Sequence, residues 1–251
     1  MAYLRGTNQS LLYEGLALYP YGSIPREILE TGNFEPASGQ FLMSRMPSDG
    51  VFIDIGANVG LFSLLLARRH SGGRILAIEP TTQTYRVLER NIRLNSCENI
   101  EPCRVALTHY DGEGDLFLNQ NGREGLNCLA QPVHSAARVV GTERIPVRRL
   151  DTLLKERGIS HVDLIKIDVE GAELLVLQGA GDLLNRADAP TILFENGGLS
   201  LGFGYGPEET SAFLRGCGYA VSEAPGMPDM WVAEKPGSGK SVGRGIVQRE
   251  L

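Results

Sequence analysis

Residues 51–60 read VFIDIGANVG, an apolar run that meets an acid and then two glycines set around an asparagine. VFIDI predicts a strand. The segment behind it, LFSLLLARRH, is apolar on much of its circumference and basic at its end, and SGG stops it, as expected of a helix packed on a sheet. RILAIEP predicts a second strand, and from there the strand and helix patterns alternate down the chain. Thr81 or Thr82 caps a helix in which Tyr85, Leu88 and Ile92 recur at three- and four-residue spacing. IEPCRVAL predicts strand three, HVDLIKID strand four, and TILFEN strand five; strand four is nearly continuous in apolar residues, as a buried parallel strand should be. Helices are expected at TLLKERG, capped by Asp151, at GAELLVLQGAGDLL and at PEETSAFLRGCG. YAVSE and DMWVAE predict a closing hairpin through APGMP. Such alternation predicts an α/β domain whose sheet is built largely by parallel crossovers, and 251 residues with 42% hydrophobic content can bury its core.

Residues 51–234 carry this pattern. Residues 1–50 mix aromatics with Gly and Pro and predict an N-terminal cap or lid with short helical patches. Residues 235–251, KPGSGKSVGRGIVQREL, have the composition of a disordered tail. Their GSGKS is no phosphate loop, since Glu234 stands where the first glycine is needed. DGEGDLFLN reads as a turn and a short strand, and NQNGREGLNCLAQPVHSAARVVGTE as a long loop. A net charge of −6 argues against a nucleic-acid partner held through its phosphates. Cys97, Cys103, Cys128 and Cys217 form neither a CxxC pair nor a His/Cys cluster, so no zinc site or disulfide framework is expected. No apolar stretch approaches a membrane span, and MAYLRGTNQS has neither a basic nor an apolar leader region. A cytoplasmic location without a membrane partner is the expectation.

A strand that runs straight into a glycine turn and a helix aims backbone N–H groups above the sheet edge, where open α/β sheets bind ligands. Dinucleotide sites use GxGxxG at this place. Here the pattern is Asp54-x-Gly56-x-Asn58-x-Gly60, and a carboxylate beside a pyrophosphate would repel it. An acid there suits a ligand with a cationic end, such as the ammonium and sulfonium of S-adenosylmethionine. Glu79 closes strand two, where an acid accepts hydrogen bonds from a ribose diol. The competing reading is a tight turn in which Asp54 only caps the helix.

FIDIGANVG, AIEP, VALTHYDGEG, RLDTLL, DLIKIDVEGAELLVLQGA and ILFEN together resemble the FkbM-type methyltransferases, a branch of the S-adenosylmethionine-dependent class I enzymes, over about Val51 to Trp231. KIDVEGAE is the most specific piece. The resemblance implies a Rossmann-like class I methyltransferase fold, a seven-stranded, mostly parallel sheet with one antiparallel strand and helices on both faces. It implies methyl transfer, usually to a hydroxyl of a natural product or sugar. It also implies that Asp54, Gly56, Asn58 and Gly60 line the methionine side, that Glu79 holds the ribose, and that Val105 and Ala106 sit by the adenine. One segment departs: relatives often show Gly-x-Ser-Ser-Leu where this chain has Gly125-Leu126-Asn127-Cys128-Leu129.

The sulfonium is already a good leaving group, so alignment of acceptor, methyl and sulfur is the main requirement, worth about 7 to 11 kcal/mol. A hydroxyl acceptor also needs a base, worth roughly 10² to 10⁴ in rate. His70 and His161 belong at the opposite sheet edge and His109 follows strand three, which leaves His134 in the long loop as a histidine candidate. Asp168 ends strand four and Glu170 lies two residues on; both are candidate catalytic groups. Glu195 and Asn196 end strand five. Asp168, Glu195 and Asn196 match the arrangement by which catechol-type methyltransferases hold Mg²⁺, whose hard oxygen ligands these are. Alternatively Asp168 holds the methionine ammonium or acts as base, and Glu170 caps the helix beginning near Ala172. Tyr13, Tyr19, Tyr21, Phe34, Phe203 and Tyr205 suit a lid, ordinary packing or a homodimer contact. O-methylation of a small hydroxylated substrate leads, ahead of N-methylation and of an inactive scaffold of the same fold.

Overall fold

The computed structural model describes residues 3–5, 10–119, 127–129 and 138–237. The chain opens with β1 (Tyr3–Arg5), β2 (Ser10–Tyr13) and β3 (Leu16–Leu18), then α1 (Ser23–Thr31) and α2 (Pro36–Arg45). Alternation follows through β4 (Val51–Ile55), α3 (Leu61–Arg69), β5 (Arg74–Ile78), α4 (Thr82–Leu94) and β6 (Ile100–Cys103). Next come β7 (Ala106–Leu107), β8 (Gly112–Asn119), β9 (Val139–Arg148), α5 (Leu150–Glu156), β10 (Leu164–Ile167), α6 (Glu173–Gln178) and α7 (Gly181–Leu184). The chain then forms β11 (Thr191–Glu195), a 3₁₀ turn (Gly198–Phe203), α8 (Pro207–Gly216), β12 (Ala220–Glu223) and β13 (Met230–Glu234).

Seven strands make the central sheet, in the order β12-β13-β11-β10-β4-β5-β6. Strands β6, β5, β4, β10 and β11 are parallel, while β13 runs antiparallel to β11 and β12. The chain moves outward from β4 through β5 to β6 and returns to β10 on the other side of β4. That reversal makes the carboxyl ends of β4 and β10 the switch point at which such sheets open a crevice.

Period-2 alternation divides the core. Phe52, Ile75, Ala77, Leu164 and Leu193 face α3, α4 and the N-terminal elements, whereas Ile53, Ile55, Ile165, Ile167, Ile192 and Phe194 face α5 to α8. Helices therefore cover both faces, as the resemblance implies. Leu11, Leu18, Ile28 and Leu42 of the first fifty residues join the first of these layers. Two asparagines one turn apart, Asn91 on α4 and Asn95 just past its end, tie them down. Asn91 accepts from Tyr19 N (2.7 Å) and donates to Val59 O (2.8 Å), while Asn95 exchanges two hydrogen bonds with Ala17 (2.8 Å each). Arg90 stacks over the Tyr19 ring at 3.8 Å.

Several expectations change. The N-terminal segment contains a three-stranded antiparallel sheet as well as helices, in strands of three to four residues too short to show alternation. Strand three ends at Cys103, and Ala106–Leu107 instead pairs with β9. The end of the expected long loop belongs to β9, a ten-residue strand antiparallel to β8; its exposed Val139 and Val140 hide the pattern. GAELLVLQGAGDLL forms two helices, and Gly179 between them leaves room for Thr108 O, from which a Cβ there would lie 2.2 Å. Asp151 does not cap its own helix. Its carboxylate accepts from the backbone of Asp182 (2.9 Å) and Leu183 (3.1 Å) at the start of α7. The tail beyond Gly237 lies outside the described residues.

Candidate cofactor and active site

The turn after β4 forms one wall of the switch-point cleft. Gly56 and Ala57 donate to Ile78 O at 3.0 and 2.9 Å, which binds the turn to the end of β5. Gly56 has φ 80°, and a Cβ on it would lie 1.8 Å from Asp168 O, so the turn sits against β10 only because no side chain intervenes. Asn58, also left-handed at φ 51°, accepts from Val59 N through its own side chain, and Gly60 opens α3.

Glu79, at the end of β5, closes the next wall. Its Oε2 accepts from Asn58 N (3.2 Å) and its Oε1 from Thr81 N (2.9 Å), so the carboxylate bridges the β4 turn and the start of α4. Burial pushes its pKa up to about 7 against these hydrogen bonds. Each oxygen keeps a second lone pair, which suits a ribose diol. Val105 and Ala106 line the cleft together with Leu116, Asn127, Cys128 and Leu129. Asn127 donates to Thr81 Oγ1 (3.3 Å) and accepts from Asn119 N (2.6 Å), which seats this part of the departing segment on the rim.

Between the walls lies a buried charge group with Lys166 at its centre. The strand register sets Lys166 of β10 beside Asp54 of β4, and Lys166 Nζ donates to Asp168 Oδ2 at 2.8 Å. The ammonium also lies 5.1 Å from the centre of the Phe62 ring. Burial alone would lower the Lys166 pKa, yet the carboxylates of Asp168, Glu35 and Asp54 outweigh it and raise the value. Asp54 is 1% exposed; its Oδ2 accepts from Ser63 Oγ at 2.6 Å and its Oδ1 has no hydrogen-bond partner among the described residues. Burial raises the Asp54 pKa, and Lys166 and Ser63 offset part of the rise. Glu170 and Glu195 are also raised, first by burial and next by the charge of Asp168.

Gly56, Asn58, Glu79, Val105, Ala106, Asp168, Glu170 and Glu195 thus meet in one cleft. Asp54 lies beneath it, not in its wall. Gly60 shapes the turn without lining the cleft. Asn196 points away: successive residues of an extended strand face opposite sides, so Glu195 enters the cleft while Asn196 donates to Ser211 on α8 (3.1 Å). The Mg²⁺ trio is therefore not assembled, and among the described residues no group of three or more His, Cys, Asp or Glu is arranged to hold a metal ion. Glu170 does not cap α6. The Glu173 carboxylate, in the first turn of α6, instead holds the turn before the helix, accepting from Val169 N (3.1 Å) and Gly171 N (3.2 Å). His134 lies outside the described residues. Of the six aromatics singled out, Phe34 lines the cleft, and buried Tyr205 donates to Gly171 O, fixing the turn that carries Glu170.

Lys166, Glu35 and Glu173 were not anticipated as site residues. The signal for Lys166 is its own position, a lysine inside the apolar strand LIKI.

Sheet order, switch-point cleft and strand-end acids define a Rossmann-like class I methyltransferase fold. The chain belongs to the methyltransferase FkbM domain family, whose model matches residues 54–221. It is 32% identical over 165 residues to methyltransferase sdnD of Sordaria araneosa, a match covering 56% of this chain and 64% of that protein. It thus spans under two thirds of that relative. The 31-O-demethyl-FK506 methyltransferase FkbM of Streptomyces tacrolimicus is 29% identical, over 70% of this chain and 74% of its own. Among solved structures, an O-methyltransferase from Bacillus cereus in complex with SAH aligns over 86% of this chain and 91% of its own, at 16% identity and a TM-score of 0.47.

Proposed function

We propose that this chain transfers a methyl group from S-adenosylmethionine to a hydroxyl of a small natural product or sugar. The observation that carries the reading is one cleft, in a member of this family, lined together by the Glu79 carboxylate, the Gly56–Asn58 turn and Asp168. The printed name of the Streptomyces relative, 31-O-demethyl-FK506 methyltransferase FkbM, favours oxygen as acceptor.

Gly56 and Asn58 shape the floor for the amino-acid part of the cofactor, Glu79 receives the ribose hydroxyls, and Val105 and Ala106 flank the base. When bound, S-adenosylmethionine supplies an electrophilic methyl on a sulfonium leaving group. Asp168 is the base of the reading: Lys166 occupies Oδ2, and Oδ1 remains for the acceptor's hydroxyl proton. Glu170 and Glu195, raised by burial and by Asp168, stay protonated more readily and serve as hydrogen-bond donors to the acceptor.

Calorimetric titration with S-adenosylhomocysteine, with NAD as comparison, tests the cofactor. Binding of the former alone, weakened at least tenfold in Glu79→Ala, is expected; preference for NAD would sink the reading. Methyl transfer from labelled S-adenosylmethionine to a panel of sugars and polyols, against the matching amines, tests the acceptor. Transfer to amines alone would replace oxygen by nitrogen.

A further inference from the structure

The cationic end of the cofactor needs a negative partner, and the residue that the glycine-turn motif offers for it is sealed off. Asp54 is 1% exposed, bonded to Ser63, flanked by Lys166 and absent from the cleft wall. We propose that Glu35 supplies this charge in its place, meeting the ammonium or sulfonium of bound S-adenosylmethionine from the N-terminal side of the cleft. The inference rests on the cofactor reading above. Glu35 lies outside residues 54–221, the part of the chain that the family model matches.

Four observations converge on Glu35. It lines the cleft beside Phe34, facing the wall that carries Asn58 and Asp168. Its Oε2 is buried and has no hydrogen-bond partner among the described residues, a position that costs free energy until a donor arrives. Among the described residues the ammonium of Lys166 is committed elsewhere, ion-paired to Asp168 at 2.8 Å and not to Glu35. Finally, Glu35 is left-handed at φ 37° and stands before Pro36, although a residue preceding proline favours extended backbone. Such an outlier persists only where its surroundings hold it. Phe34 N donates to Tyr13 Oη (3.4 Å), and the Phe34 ring packs on Phe62 with centroids 6.2 Å apart. The carboxylate is thus presented to the cleft by a braced corner. Burial and then Asp168 raise its pKa while Lys166 lowers it, a balance that a docking cation would shift toward the ionised form.

The test is calorimetric binding of three ligands to the full-length protein. S-adenosylmethionine carries both cationic groups, S-adenosylhomocysteine the ammonium alone, and 5′-methylthioadenosine neither. In Glu35→Gln, S-adenosylmethionine should bind roughly 10- to 100-fold more weakly, the loss expected for a hydrogen bond to a charged partner. Methylthioadenosine should stay within about twofold of wild type, and Glu35→Asp, which keeps the charge, should fall between. A parallel loss for S-adenosylhomocysteine identifies the ammonium as the group met, and an unchanged value identifies the sulfonium. Unaltered S-adenosylmethionine binding in Glu35→Gln overturns the proposal, as does an equal loss for all three ligands, which marks a structural role. Wild-type protein that binds none of them overturns the cofactor reading and this inference with it.

Discussion

At the scale of single residues, the site is governed by how buried carboxylates are compensated. Lys166 answers Asp168 and Asp54 together, and Glu173 and Glu79 are held by backbone N–H groups instead. Those hydrogen bonds do not fully offset burial, and both acids are pushed up to about 7 from 4.5. The folded chain therefore holds protons that the unfolded chain has released between these values. The stabilisation is fully present below pH 4.5 and is lost as pH rises through about 7, on the order of 3 kcal/mol per group. Urea titrations of the cofactor-free protein should show this decline, and Glu79→Gln should remove the Glu79 share of it, on the order of 3 kcal/mol. A slope unchanged by the substitution would mean that Glu79 titrates normally. Asp54, expected on the methionine side, is set beside Lys166 by the strand register and bonded to Ser63 beneath the cleft wall.

At the scale of elements, caps and breaks come from residues distant in sequence. Asp151 reads as the cap of the helix it begins, because an acid in a first turn is the usual signal. The chain folds so that its carboxylate meets α7 across the α5–α7 contact. Asp151→Ala should therefore lower stability by about 1 kcal/mol, within the range for lost helix caps, and leave S-adenosylhomocysteine affinity unchanged. Melting curves and calorimetry on the same sample check both halves. Strands β4, β5, β10 and β11 and helices α3, α4 and α8 were legible, since apolar period and glycine stops agree there. The β9 arm was not, because its first residues pack on little besides β8 and carry no buried face.

At the scale of the molecule, the first fifty residues and the sheet share one apolar layer. Asn91, fully buried on α4, joins β3, α4 and the turn before α3 in a single set of hydrogen bonds. Asn91→Ala leaves Tyr19 N and Val59 O without partners, and a loss of roughly 2 to 4 kcal/mol is expected in denaturant titrations. A loss below about 0.5 kcal/mol would show that the N-terminal segment docks independently of this tie. By itself the sequence determined the α/β class, the strand-turn-helix at residues 51–69, Glu79 at the cleft and the family motif at Lys166–Glu173, because each rests on local period or spacing. Only the tertiary structure decided which acids face the cleft. Whether Asp54, Glu35, Glu195 or Asn196 meets a ligand depends on strand pairing, on the alternation of sides at β11 and on a segment folding back from outside the motif, none of which local spacing encodes.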